Sequence, residues 1–198
     1  MNKNCKIFLS LSFFICWQLN AIASSVFNFH DVLEVDKPIQ DLVEIIHDYE
    51  NTCSLKSCKY FLSSIEQQRI LERDQQGFPS LIWQQVADHK KYTNFLKVKT
   101  MIIDAAGEWK VITSMPTEKE IEGFKKKYNL PHNSIFYELV STWELSTVTK
   151  NSSGNSTQSV VVDLTSQAKS DNTWAWMFYG TVNSNFIKSS KESLKGLN

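Results

Sequence analysis

Between Ile65 and Thr165 the chain is a succession of β-branched and aromatic runs joined by turns. The runs are Ile65–Arg73, Leu81–His89, Phe95–Asp104, Trp109–Met115, Ile135–Thr149 and Gln158–Thr165. Asp74-Gln75-Gln76-Gly77, Ala105-Ala106-Gly107 and Asn151-Ser152-Ser153-Gly154-Asn155 lie between them. Such turns have room for hairpins and none for a parallel crossover, so the runs predict one antiparallel sheet. A sheet with an apolar face must bury it against another layer. The cover is at the C-terminus, where Asn183–Leu197 predicts a long helix. Phe186, Ile187, Ser190, Leu194 and Leu197 share one side, with the charged residues opposite. A twisted sheet curls around such a helix.

The N-terminal half supplies one more strand and a first helix. Val26–Val35 reads as a strand, and Asp36-Lys37-Pro38 ends it. Ile39, Leu42, Val43, Ile46 and Tyr49 follow at helical spacing, which predicts an amphipathic helix from Pro38 to near Asn51. His47 and Asp48 fall on its polar side and are expected to be solvated. Lys59–Phe61 reads as a further helical turn. Thr117–Tyr128 carries glutamates early and lysines late, which matches a short helix and its dipole. Trp174–Tyr179, WAWMFY, is apolar on both faces and fits either an eighth strand or a buried turn.

Residues 1–23 predict a secretory signal. Lys3 and Lys6 precede the apolar run Ile7–Trp17, which is shorter than the ~20 residues of a membrane span. Ala21-Ile22-Ala23 offers the small-x-small cleavage pattern, so residues 24–198 are the expected mature domain, secreted or periplasmic. Cys5 and Cys16 leave with the signal. Cys53 and Cys58 remain in an oxidising compartment without a C-x-x-C redox motif or a metal-spaced Cys/His cluster, and a disulfide is the reading that fits. It closes a short loop, worth about 2 kcal/mol by chain entropy.

Charge excludes some partners. The chain carries 21 basic and 21 acidic residues; loss of the signal leaves 19 against 21, a net of −2. That is no footprint for nucleic acid or an anionic membrane. A monomer of about 175 residues suffices for a sizeable core. The sequons Asn151-Ser152-Ser153 and Asn155-Ser156-Thr157 are read as hairpin-tip polarity.

The order of these elements resembles the START-like superfamily (SRPBCC, the helix-grip fold). The likeness rests on Phe29–Val35 leading into Asp36-Lys37-Pro38-Ile39, on Asp48-Tyr49 at the end of the first helix, on Ile65–Glu72, and on Asn185–Leu197 as the closing helix. The cysteine loop and the helix at Thr117–Tyr128 depart from the common form. The resemblance implies an α+β fold, with a curved antiparallel sheet of about seven strands gripping the long C-terminal helix. It also implies a cavity between sheet and helix for a lipid or other apolar small molecule. A loop near Cys53–Cys58 would control access.

Candidate cavity residues are large side chains on the strands and the last helix: Trp83, Met101, Trp109, Tyr137, Trp143 and Phe186. No cofactor motif and no catalytic triad is visible; His30, His47, His89 and His132 are scattered, and no serine sits in an elbow-like G-x-S-x-G. Glu138 and Glu144 would share one strand face and could form an acid–base pair if it looked inward; the alternation favours a solvated outer face. Three functions remain open: a binding protein for an apolar ligand, a cyclase or dehydratase on the same fold, and an interaction module with a filled core. The first is the reading adopted, without catalysis.

Overall fold

The computed structural model describes residues 24–87, 92–103, 107–152 and 155–198, and of residues 150–152, 155–157 and Trp174 the backbone only. The signal reading for residues 1–23, His89, the Ala105-Ala106 turn and the sequon side chains lie outside the described residues.

Among the described residues nine strands form in chain order: β1 (Ser25–Val35), β2 (Thr52–Cys53), β3 (Tyr60–Phe61), β4 (Ile65–Arg73), β5 (Pro79–Val86), β6 (Thr93–Ile102), β7 (Trp109–Ser114), β8 (Glu138–Ser152) and β9 (Asn155–Ser170). Seven make one antiparallel sheet in the order β1-β9-β8-β7-β6-β5-β4; β2 and β3 pair in parallel by themselves. From β4 to β9 every strand pairs with its successor in sequence; short connections favour this everywhere except between β7 and β8, where residues 115–137 intervene. β1 closes the other edge on β9. Between β4 and β5, Asp74 Oδ1 accepts from the backbone N–H of Gln76 and Phe78 at 2.9 Å each, and Gly77 takes φ 89°, which favours glycine.

The helices are α1 (Ile39–His47), α2 (Glu118–Tyr128), α3 (Thr173–Met177) and α4 (Tyr179–Lys195). α1 buries Ile39, Leu42, Val43 and Ile46, as its spacing predicts. It also buries His47, contrary to the solvated reading. The helix turns through Tyr49–Asn51 and brings the imidazole under the sheet, where Nε2 is 2.8 Å from Thr100 Oγ1 and the ring lies 5.1 Å from that of Phe78. Desolvation lowers its pKa to about 4, against an opposing pull from Asp74.

α2 starts on a capping box, with the Thr117 side chain accepting from Glu120 N and the Glu120 carboxylate accepting from Thr117 N, and ends at Asn129 in the left-handed region. The segment Trp174–Tyr179 is neither a strand nor a buried turn: α3 and the first turn of α4 take it, and Trp176, Met177, Phe178 and Tyr179 are all exposed. Lys59–Phe61 likewise does not extend a helix, since Tyr60–Phe61 is β3.

The main core joins α1 (Leu42, Val43), the inner face of the sheet (Ile82, Leu96, Val111, Leu145, Val162, Leu164) and the end of α4 (Leu194, Leu197). Lys37 Nζ donates to the carbonyls of Leu197 and Asn198 at 2.6 and 2.8 Å, so one cation ties the C-terminal end of α4 to the start of α1. A second apolar cluster lies on the outer face, where Ile121, Phe124 and Tyr128 of α2 cover Leu81, Trp83 and Phe95. The sheet therefore has a helix on each face. The architecture is the helix-grip α+β arrangement, with α2 added outside.

Candidate functional site

Between the inner face of the sheet and α4 lies a cavity of about 860 Å³. Its sheet wall is set by the period of two. Ile82 and Gln84 on β5, Asn94 and Leu96 on β6, Thr113 on β7, Leu139, Ser141 and Trp143 on β8, and Leu164 and Ser166 on β9 all face it. Its other wall is α4, which presents Val182, Phe186, Ser189, Ser190, Ser193 and Gly196. The three serines, and Gly196 just past the end of the helix, are too short to reach the sheet, and that helps leave the space open.

Tyr60 to Ser64 form one rim. They follow the Cys53–Cys58 disulfide, which holds β2 and β3 in one short loop. The rim is fastened to α4. The backbone N–H and hydroxyl of Ser63 donate to Glu192 Oε2 at 2.8 and 2.6 Å, and the hydroxyls of Ser64 and Ser189 lie 2.6 Å apart. Lys188 Nζ stands 3.7 Å from Glu192 on the same helix.

The polar groups of the sheet wall fall into two rows. Ser166 Oγ donates to Ser141 Oγ at 2.9 Å, and Ser141 is opposite Thr113 in the register. Thr113 Oγ1 is 3.5 Å from the Tyr49 hydroxyl, and burial pushes that phenol up to about 12. It stays neutral at any ordinary pH. The second row is Gln68, Gln84 and Asn94, directly opposite one another on β4, β5 and β6. Gln68 Nε2 donates to the carbonyls of Tyr49 and Thr52 at 3.3 and 3.0 Å. Asn94 is buried, and its Oδ1 has no hydrogen-bond partner.

Of the six candidates read from the sequence, Trp143 and Phe186 line the cavity. The others do not. Trp83 is on the outer face under α2, where its Nε1 donates to Pro131 O at 2.9 Å. Met101 is out of phase with Asn94, Leu96 and Val98 and so looks outward from β6. Trp109 faces inward but past the cavity's end, edge-on to Phe78 with ring centres 5.6 Å apart. Tyr137 precedes β8 and is exposed, with its hydroxyl 2.9 Å from Ser24 Oγ. Size and strand position alone selected these four, and neither encodes the face.

Glu138 and Glu144 lie on the outer face, paired with Lys169 at 2.9 Å and Lys110 at 2.5 Å. They form no inward acid–base pair. His132 lies against Phe95, with ring centres 6.1 Å apart, and burial lowers its pKa. Among the described residues no group of three or more His, Cys, Asp or Glu could hold a metal ion. No helix among them is long and apolar enough to cross a membrane.

The fold defined by these elements is START-like: a seven-stranded antiparallel sheet, the C-terminal helix against its inner face, and a cavity between them. No family model matches the chain, and no curated protein matches it. Solved structures do. The chain is similar to a START superfamily protein from Mycobacterium smegmatis (TM-score 0.44, 15% identity, 86% of this chain and 99% of that one covered). It is similar to TTHA0849 from Thermus thermophilus (TM-score 0.47, 16% identity, 86% and 93% covered). It is also similar to Ara h 8.0201 (TM-score 0.37, 12% identity, 86% and 99% covered).

Proposed function

We propose that this chain is an exported protein that binds an apolar small molecule or lipid between its sheet and its C-terminal helix. The observation that carries the reading is the cavity of about 860 Å³, walled by Leu139, Trp143, Leu164, Val182 and Phe186 and crossed by the two polar rows of the sheet. Pockets of that size and lining suit a molecule whose burial supplies the affinity. A filled-core interaction module would have no use for such a space.

The chemistry inside argues for holding a ligand rather than transforming it. Tyr49 is a weaker acid than usual, and His47, the most perturbed imidazole, is turned away towards Thr100 and Phe78. The rim at residues 60–64 is the natural point of access. It is stapled at its base and fastened to α4 by Ser63 and Ser64. Breaking those few bonds opens the cavity without disturbing the main core. Export is supported by the apolar run Ile7–Trp17 with Ala21-Ile22-Ala23 behind it, and the disulfide is compatible with an oxidising compartment.

The test is native mass spectrometry of the protein purified from its own host, followed by organic extraction. A co-purifying apolar molecule that restores the same mass shift to stripped protein supports the reading. A bare chain that also takes up no apolar dye would sink it.

A further inference from the structure

The mouth of the cavity is rimmed by apolar side chains that face water. Phe61 on the rim and Phe178 between α3 and α4 both line the cavity, yet they are 59 and 49% exposed, so they stand at its opening. Beside Phe178, Trp176 and Met177 are 54 and 59% exposed and lie outside the lining. Their exposure is imposed by what packs on either side. Ala175 is buried with Phe27 and Ala168. Tyr179 stacks on Phe27, with ring centres 5.1 Å apart, and its hydroxyl donates to Val26 O at 3.1 Å. With both neighbours held, the chain between them turns Trp176 and Met177 outward. Apolar side chains of this size grouped in water mark a surface that meets a partner.

Charge narrows what that partner is. Residues 60–65 and 172–187, which carry these side chains, hold no Asp, Glu, Lys or Arg. Each stretch is bounded by one charge of either sign: Lys59 and Glu66 on the first, Asp171 and Lys188 on the second. Such a balance offers no net field to an anionic surface or a charged peptide. It matches headgroups that carry both signs over an apolar interior, and Trp and Tyr are the side chains suited to that boundary. A second copy seated mouth to mouth would close the cavity. A bilayer against the same rim would be continuous with it.

Resting on the reading that the cavity holds an apolar molecule, we infer that the α3–α4 corner and the Phe61 rim dock on a zwitterionic lipid bilayer, with Trp176 and Met177 seated at the boundary of headgroups and chains. The cavity then opens onto the membrane, and its ligand passes between lipid and protein without crossing water, where its apolar surface is costly. Burial of apolar side chains drives the docking, and anionic lipid is not required.

Flotation of the protein purified from its own host with phosphatidylcholine vesicles tests this. The protein should rise with the vesicles, and neither raised salt nor added phosphatidylglycerol should change the bound fraction. Phosphatidylcholine brominated on its acyl chains should quench the tryptophan fluorescence of the unaltered protein. Bound N-phenyl-1-naphthylamine should leave for the vesicles at a rate that grows with their concentration. Trp176→Ser and Met177→Ser, each at an exposed position outside the lining, should weaken flotation at least about tenfold and slow the transfer. Their melting temperatures, and their dye uptake without vesicles, should be unchanged. Absent flotation, absent quenching, flotation unchanged in both variants, or flotation that needs phosphatidylglycerol and is lost in salt overturns the inference. A dimer that either variant splits also overturns it, because the patch then belongs to a second copy. Dye uptake without flotation leaves the cavity reading standing. Flotation without dye uptake overturns that reading, and the passage of a ligand with it.

Discussion

Ile82 and Trp83 are adjacent on β5 and end in different environments. Trp83 faces outward with Leu81 and Phe95, under α2, in a cluster closed by Ile121, Phe124 and Tyr128. The ring centres of Phe95 and Phe124 are 5.7 Å apart, and those of Phe124 and Tyr128 are 6.4 Å apart. Ile82 faces inward, on the wall of a cavity of about 860 Å³. β5 and the first half of β6 are buried on both faces; the helices differ. α2 meets the sheet with an isoleucine and two aromatic rings, whereas α4, which packs on the core through Phe186 and Leu194, turns Ser189, Ser190 and Ser193 to the space between. The hollow is therefore a property of the covering helix, and the two faces should respond in opposite ways to a change of side-chain volume.

The largest effect should come from emptying the filled side. Trp83→Ala removes a buried indole and its bond to Pro131 O, and large-to-small changes of this kind cost about 3–5 kcal/mol. Chemical denaturation measures it. Ligand uptake by the folded fraction should be unchanged, since the indole is across the sheet from the cavity. A loss below about 1 kcal/mol would mean that α2 is not packed on the sheet as described.

The inner face is hollow only in its middle. At one end His47, Phe78 and Trp109 fill it, and this gives a prediction in pH. The folded pKa of His47 is about 4, below its unfolded value of 6.5. Above the unfolded value both states are neutral and nothing changes. As pH falls from 6.5 towards 4, the unfolded chain binds a proton that the folded chain refuses, so stability falls. At 1.36 kcal/mol per unit the loss approaches about 3 kcal/mol at the lower end. His132, lowered in the same direction, adds to it. In His47→Gln the slope across this window should flatten to what His132 and the carboxylates leave. An unchanged slope would place His47 in water.

The stapled rim comes next. Cys53→Ser opens a loop of sequence separation 5, and the chain-entropy model assigns that closure about 2 kcal/mol. Because the loop anchors β2, β3 and the Ser63 and Ser64 bonds to α4, the variant should also exchange a bound dye faster. Stopped-flow release against a competitor reads the second effect. Global unfolding at room temperature would contradict a purely local staple.

Much of the fold was legible because two periods carry it. Strand runs with hairpin turns give neighbouring antiparallel strands, and the spacing of Leu194 and Leu197 gives the closing helix. The face was not legible. β5 and β6 are buried on both sides, so alternation cannot say whether Trp83 or Ile82 looks inward. Gln67-Gln68 and Gln84-Gln85 place one glutamine on each face, and identical residues give no sign of which. His47 looked polar on a helical wheel because nothing local foretold Thr100 and Phe78 beside it.

The smallest effect on stability should come from filling the hollow side, and it is the one that separates the two faces. Ser193 lines the cavity from α4, and its hydroxyl bonds back to Ser189 O on the same helix, so the helix can spare it. Ser193→Leu projects a larger side chain into open space instead of a packed core. Leucine also has the better helix propensity, and a cavity-filling change of this type typically adds about 0.5–2 kcal/mol. The melting temperature should hold or rise while dye binding weakens at least about tenfold. The same enlargement opposite, Ile121→Phe under α2, should destabilise by about 1–3 kcal/mol, because no space is available there. If Ser193→Leu destabilises as much as Ile121→Phe, the inner face is as full as the outer one, and the binding reading falls with the contrast that supports it.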